Sequence, residues 1–150
     1  MNQVNKCNCQ CGCGSESQKI NNTAKKTLII SWQRLIEGGS TCPRCGSTED
    51  ELNNAVQQLK EKLASLEINV ILEKKELSLE EFKRKPVESN RILFNGRSLE
   101  DVIGAKTGQS QCCDVCGDEE CRTVEVAGQT HETIPAEIIV KAGLKVAVEL

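Results

Sequence analysis

The sequence predicts an α/β fold in which a mixed sheet is flanked by helices. A short apolar run rich in β-branched residues, 28–32, is typical of a buried central strand. The stretch 52–66 carries apolar residues at helical spacing, and the alternating residues Ile68, Val70 and Leu72 predict a second strand. A strand, a helix and a strand in this order predict a crossover that leaves the two strands parallel.

The helix between these strands has the clearest periodicity in the chain. Ser47 or Thr48 is suited to cap it. Asp50 or Glu51, three residues later, completes a capping box, and we therefore expect the helix to begin near Glu49. Its apolar stripe consists of Leu52, Ala55, Val56, Leu59, Leu63 and Leu66.

Capping and turn signals place the elements that follow. Ser78 with Glu81 predicts the start of a short helix, which Pro86 ends. Residues 92–94 predict a third strand, and the Asn-Gly pair directly after it is a strong signal for a two-residue hairpin.

The last third of the chain combines a cysteine-rich insertion with a hairpin and a helix. Ser98 predicts another brief helix, which Gly104 closes. Residues 105–121 show no apolar period. Alternating valines and a glycine turn predict a hairpin over 124–134, and Pro135 is suited as the first residue of a terminal helix.

Composition limits the size and the partners of the protein. The chain has 150 residues and a formal net charge of −3, which suits one domain over residues 27–150 after a disordered, cysteine-rich arm over residues 1–26. There is no basic cluster, and Trp32, Phe82 and Phe94 are the only aromatic residues, so we expect no nucleic-acid partner. The sequence shows no signal peptide and no membrane-spanning run, so we expect no membrane partner and a cytoplasmic location.

The chain has ten cysteines, far more than packing requires, which points to metal or redox chemistry. Four evenly spaced thiols in a flexible tail can wrap around one soft ion such as Cu(I) or Zn(II), which favours metal binding there. The tail group is Cys7, Cys9, Cys11 and Cys13, the central pair is Cys42 and Cys45, and the insertion group is Cys112, Cys113, Cys116 and Cys121.

The central pair stands in a Cys-Pro-Arg-Cys turn between a predicted strand and a predicted helix, which suits thiol-disulfide exchange. In this interpretation Cys42 is the attacking thiolate and Cys45 the resolving thiol. Pro43 stiffens the turn, and the positive charge of Arg44 favours the thiolate. The insertion cysteines relay a disulfide to or from the pair, and the expected partner is a protein that carries a thiol or a disulfide.

A metal site is the alternative for the same residues. The stretches 42–46 and 113–117 both have the form Cys-x-x-Cys-Gly, the shape of a zinc knuckle, and together they offer four thiolates. The handling of a toxic soft metal is a third interpretation, because Cys112, Cys113 and Cys116 provide the three thiolates that arsenite or mercury takes. Burial as small apolar residues is the remaining explanation for each cysteine.

A resemblance to a known family is carried by five stretches, which are 32–35, 42–46, 88–91, 95–97 and 112–117. From about Lys26 to Leu150 the chain resembles an uncharacterised thioredoxin-like family, catalogued as a domain of unknown function. The resemblance implies a thioredoxin-like fold and supplies no established activity. Thioredoxins place a cis-proline before the third strand, whereas residues 88–91 contain no proline, and their helix begins at the thiols, whereas here we expect it to begin after Cys45.

Overall fold

A computed structural model describes residues 26–36, 39, 42–111 and 120–150. Nearly all of the expected N-terminal arm, residues 1–25, lies outside this described part of the chain, and so do residues 112–119. The described cysteines are Cys42, Cys45 and Cys121, and all three are buried. The predicted site residues outside the described part are Cys7, Cys9, Cys11, Cys13, Cys112, Cys113 and Cys116.

The first sheet has four strands and confirms the predicted mixed α/β arrangement. Its strands are β1 (Thr27–Leu35), β2 (Asn69–Leu77), β3 (Arg91–Phe94) and β4 (Arg97–Ser98), in the order β2-β1-β3-β4. β1 runs parallel to β2 and antiparallel to β3, so it is paired on both sides as a central strand. The parallel crossover and the β3–β4 hairpin are therefore confirmed.

The described part of the chain has four α-helices beside this sheet: α1 (Pro43–Leu63), α2 (Leu79–Arg84), α3 (Leu99–Ile103) and α4 (Ala136–Ala147). α1 connects β1 to β2, and α4 packs against α1. Among the described residues, none of the helices combines the length and the apolar character that crossing a bilayer requires.

The predicted caps of the two short helices are confirmed. Ser78 and Glu81 form a reciprocal capping box at the start of α2. The hydroxyl of Ser98 caps α3, and Gly104 ends that helix in the left-handed region, with φ of 69°. Pro135 is the cap that precedes α4 rather than the first residue of this helix.

α1 begins at Pro43 and not near Glu49, so the predicted start was wrong. A proline at the first helical position already has the φ of a helix, and its missing N–H would have had no partner there. Cys42 supplies the cap, because its sulfur accepts a hydrogen bond from the N–H of Cys45 at 3.5 Å. Thr48, a predicted cap, is instead fully buried inside the helix.

Three antiparallel strands form a second sheet: β5 (Lys106–Gln111), β6 (Glu120–Val126) and β7 (Gln129–His131). The β6–β7 hairpin confirms the prediction for that region. β5 was not predicted, because its sequence, Lys-Thr-Gly-Gln-Ser-Gln, carries no apolar period. Its last residue, Gln111, pairs with Glu120, so residues 112–119 of the cysteine-rich insertion connect two paired strands.

The hydrophobic core lies between the first sheet and the helices, and Trp32, Phe82 and Phe94 are fully buried in it. A close approach between α1 and α4 occurs at Gly143. A Cβ atom at this position would lie 2.7 Å from Cδ1 of Leu59, which is itself fully buried. Packing therefore explains a glycine inside α4, where it costs about 1 kcal/mol relative to alanine.

We expect the substitution Gly143→Ala to lower the free energy of unfolding by about 1–3 kcal/mol, because overpacking outweighs the better helix propensity of alanine. Urea denaturation measures this loss. In a Leu59→Val background the same substitution should cost less, because the two Cδ methyl groups near the new Cβ are absent. Equal losses in both backgrounds would contradict the proposed contact.

Candidate thiol site

The central pair lies at the first turn of α1. Cys42 is the N-cap and is 1% exposed, while Cys45 lies within the first turn and is 0% exposed. The N–H of Cys45 donates to the sulfur of Cys42. A helix N-terminus presents backbone N–H groups and the positive end of the helix dipole, which favour the thiolate form of a cysteine placed there.

Ser89 lies against Cys45 from the other side. Its side chain is fully buried in the segment that precedes β3. Its Oγ lies 3.7 Å from the sulfur of Cys45 and accepts a hydrogen bond from the backbone N–H of Leu35 at 3.3 Å. Ser89 belongs to the stretch 88–91, so the segment that carries no proline in this chain does face the central pair.

Asn90 fixes the backbone next to this serine. Asn90 is 1% exposed and has φ of 56°, a left-handed conformation that asparagine adopts more readily than most residues. Its Oδ1 accepts from the indole N–H of Trp32 at 3.1 Å. Its Nδ2 donates to the hydroxyl of Thr48 at 3.2 Å and to the carbonyl of Glu132 at 3.5 Å. The side chain therefore connects β1, α1 and the segment between β7 and α4.

Arg44, between the two cysteines, contacts the end of the β5–β6 hairpin. Its Nη2 donates to the carbonyl of Gln111 at 2.8 Å, and its Nη1 donates to the carbonyls of Ser110 at 3.4 Å and Cys121 at 3.5 Å. Its guanidinium also pairs with the carboxylate of Glu132 at 3.2 Å, and its side chain is only 6% exposed. No local pattern in the sequence indicates this structural contact, and the effect of Arg44 on a thiol stays a prediction.

The contacts of Arg44 thus bring the start of α1 to the end of the β5–β6 hairpin, where the insertion cysteines occur in the sequence. Cys121 is fully buried in β6, opposite Ser110 of β5. Cys112 directly follows Gln111, whose carbonyl Arg44 holds. Within the described ranges, no group of three or more histidine, cysteine or acidic side chains is arranged to hold a metal ion.

Ser89, Asn90 and Glu132 were not predicted as site residues, although the stretch 88–91 carries part of the family resemblance. No local period or spacing marks them, because their partners are far away in the chain: Ser89 is 44 residues from Cys45, and Asn90 is 58 residues from Trp32. A weak signal was present in Asn90 alone, because a serine-asparagine step before a strand suits a turn with positive φ.

An acidic group beside the site has a shifted pKa. Burial raises the pKa of Glu88, but hydrogen bonds from Arg91 at 2.7 Å and from the amide of Gln33 at 3.1 Å outweigh this effect. The nearby charges of Arg91 and Lys85 act in the same direction, so the pKa of Glu88 lies below its usual value of 4.5. The charged form of Glu88 thereby helps to hold the segment that contains Ser89.

Comparison with known proteins gives a family and a relative. A family model described as "Domain of unknown function (DUF2703)" matches residues 28–143. An uncharacterised protein of Archaeoglobus fulgidus is 50% identical over 112 residues, which cover 75% of this chain and 82% of the relative. No solved structure matches the chain.

The lowered pKa of Glu88 predicts a specific acid sensitivity. A carboxyl whose pKa is lower in the folded state contributes stability that is fully present above the unfolded pKa and is lost as the pH falls through the folded pKa. We therefore expect wild-type protein to lose more stability than Glu88→Gln when the pH falls below 4.5. Urea denaturation at a series of pH values measures the difference. Glu80→Gln, at an exposed position, should keep the wild-type profile, and parallel profiles for Glu88→Gln and wild type would refute the prediction.

Removal of the Arg44 contacts should destabilise the hairpin. We expect Arg44→Ala to lower the free energy of unfolding by about 2–3 kcal/mol, because it removes charge-assisted hydrogen bonds to partly buried carbonyls. Arg44→Lys should recover only part of this loss, because an ammonium group cannot reproduce the planar fork of arginine. Urea denaturation with amide hydrogen exchange in β5 and β6 measures both effects. Arg84→Ala, at an exposed ion pair, is the matched control, and equal losses in the two alanine variants would refute the prediction.

Proposed function

This chain belongs to the family described as a domain of unknown function (DUF2703), and we propose that it is a thiol-based redox protein that exchanges disulfides at Cys42 and Cys45. The observation that carries the proposal is the position of the pair at the first turn of α1, between two parallel strands. A Cys-x-x-Cys turn in a β-α-β unit is the setting of a thioredoxin-like redox motif. The same observation supports a thioredoxin-like fold for the domain.

The proposed reaction uses both thiols in turn. The thiolate of Cys42 attacks a disulfide of the partner, so a mixed disulfide forms and one partner sulfur leaves as a thiolate. Cys45 then loses its proton and attacks the sulfur of Cys42. The second partner sulfur leaves, and a disulfide joins Cys42 to Cys45. The partner gains two electrons and the pair loses two.

Access to the pair limits which partners react. Cys42 is 1% exposed and Cys45 is 0% exposed, so the chain around Cys42 must move before a bulky disulfide can reach the sulfur. Exchange with a disulfide carried by the same chain avoids part of this cost. We further place the protein in the cytoplasm, because a reducing compartment keeps thiol pairs available for exchange.

The insertion cysteines are the proposed intramolecular relay. Arg44 holds the carbonyls of Gln111 and Cys121, which flank the segment 112–119 on its two sides. An extended chain spans about 3.3–3.6 Å per residue, so the five residues from Gln111 to Cys116 cover at most about 18 Å. The anchored ends therefore support an exchange between the insertion cysteines and the central pair.

A metal site is the second candidate, and the same contacts favour it. Arg44, inside the stretch 42–46, contacts the carbonyls of Gln111 and Cys121, which lie before and after the second Cys-x-x-Cys-Gly stretch, 113–117, in the sequence. A zinc ion shared by four thiolates is therefore the alternative for the central site. A vicinal pair with a third thiol would suit arsenite or mercury, and the tail cysteines would suit copper or zinc.

The deciding experiment compares metal content with disulfide formation. The full chain and a version that starts at Lys25 are purified without oxygen, and metal content and thiol number are determined by mass spectrometry. We expect metal-free central cysteines that form a reversible disulfide, and reduction of a model disulfide substrate should fall by about tenfold or more in Cys42→Ser. A Cys113→Ser, Cys116→Ser variant should keep the Cys42–Cys45 disulfide, since these residues serve only the relay.

The opposite result would assign the site to a metal. Near-stoichiometric zinc in the shortened protein, lost in a Cys42→Ser, Cys45→Ser variant, would make the central pair a set of ligands and refute the redox proposal. Zinc that disappears only with deletion of residues 1–24 would leave the redox proposal intact and confine metal binding to the tail.

A further inference from the structure

The hydroxyl of Ser89 lies between the backbone of Leu35 and the sulfur of Cys45. A serine hydroxyl offers one donor and two acceptor positions. The N–H of Leu35 donates to Oγ of Ser89 at 3.3 Å and so occupies one acceptor position. The donor remains available, and the sulfur of Cys45 lies 3.7 Å from the same oxygen. When Cys45 is a thiolate its sulfur has no hydrogen to donate, so in that state the O–H of Ser89 is the donor of this contact.

This contact is buried in the interior of the protein. Ser89 and Cys45 are both 0% exposed, and Asn90, directly after the serine, is fixed by hydrogen bonds to Trp32 and Thr48. In a low-dielectric interior a hydrogen bond to an ionised acceptor is stronger than one to a neutral acceptor. The contact therefore favours Cys45 as a thiolate over Cys45 as half of a disulfide, whose sulfur carries no charge.

We propose that Ser89 is a positioning residue that stabilises the reduced form of the Cys42–Cys45 pair through its hydrogen bond to the sulfur of Cys45. This inference rests on the proposed redox function. Two electrons and two protons convert the disulfide to two thiols, and a group that favours the reduced state raises the reduction potential of the pair. In the exchange itself, the hydroxyl stabilises the Cys45 thiolate that attacks Cys42 and closes the disulfide.

The test measures the reduction potential of the pair in the full chain. Wild type, Ser89→Ala, Ser89→Thr and Ser98→Ala are equilibrated in glutathione redox buffers, and peptide mass spectrometry counts the reduced and oxidised Cys42–Cys45 pair. Ser98→Ala is the matched control, because it also removes a buried hydroxyl that accepts a backbone hydrogen bond, but at the cap of α3. Ultraviolet absorbance of the thiolate, followed against pH, gives a second signal that a loss of stability alone would not move.

We expect Ser89→Ala to shift the exchange equilibrium about tenfold toward the disulfide, which is a potential about 30 mV more negative. The pH at which a thiolate appears should rise in this variant, while Ser98→Ala and Ser89→Thr keep the wild-type values. An unchanged potential in Ser89→Ala, with a disulfide that still forms reversibly, would overturn the inference about Ser89 and leave the proposed function standing. Failure of wild-type protein to form the Cys42–Cys45 disulfide would overturn both.

Discussion

The arrangement of the site depends on the buried side-chain amide of Asn90. Its oxygen accepts a hydrogen bond from the indole N–H of Trp32 in β1, the central strand, and its nitrogen donates one to the hydroxyl of Thr48 in α1. The backbone of Asn90 has positive φ, which costs free energy for most residues other than glycine but is tolerated by asparagine. An apolar residue at position 90 would leave the buried indole N–H of Trp32 without this acceptor, and it would adopt the positive φ less readily than asparagine does. One residue thus connects β1 and α1 directly beside the serine that faces Cys45.

Glu132 joins the Asn90 network to the contacts of Arg44. The backbone carbonyl of Glu132 accepts from Asn90, and its carboxylate pairs with Arg44 and accepts from the hydroxyl of Ser110. The side chain of Glu132 is 61% exposed, so the ion pair by itself adds little stability. The ion pair matters because the guanidinium of Arg44 is only 6% exposed, so it needs hydrogen-bond acceptors to offset the loss of its hydration. The carbonyls at the end of the hairpin provide the rest of these acceptors.

The elements that the sequence predicted correctly are those with local signals. The capping box at Ser78 and the parallel crossover of β1 and β2 depend on residues close together or on one clear period, and both are present. The start of α1 was misplaced because capping rules favour serine and threonine, whereas here the sulfur of Cys42 is the cap. β5 was missed because its backbone pairing with β6, rather than any apolar face, makes it a strand. Ser89 was missed because its partner, Cys45, lies 44 residues away, so no local pattern marks the contact.

The first turn of α1 is held from two sides, so a disulfide between Cys42 and Cys45 would also affect the contacts around this turn. Cys45 faces Ser89, while the adjacent Arg44 binds the carbonyls of Ser110 and Gln111. A disulfide between Cys42 and Cys45 would bring their Cβ atoms to about 3.5–4.5 Å and end the role of the Cys42 sulfur as an ordinary helix cap. Because Arg44 lies between the two bonded residues, a change in this turn reaches the end of the hairpin directly. In the proposed exchange, the oxidation state of the pair is therefore coupled to the contacts of Arg44 with Ser110 and Gln111 at the end of β5. A metal ion shared by both segments would instead hold this contact in one arrangement.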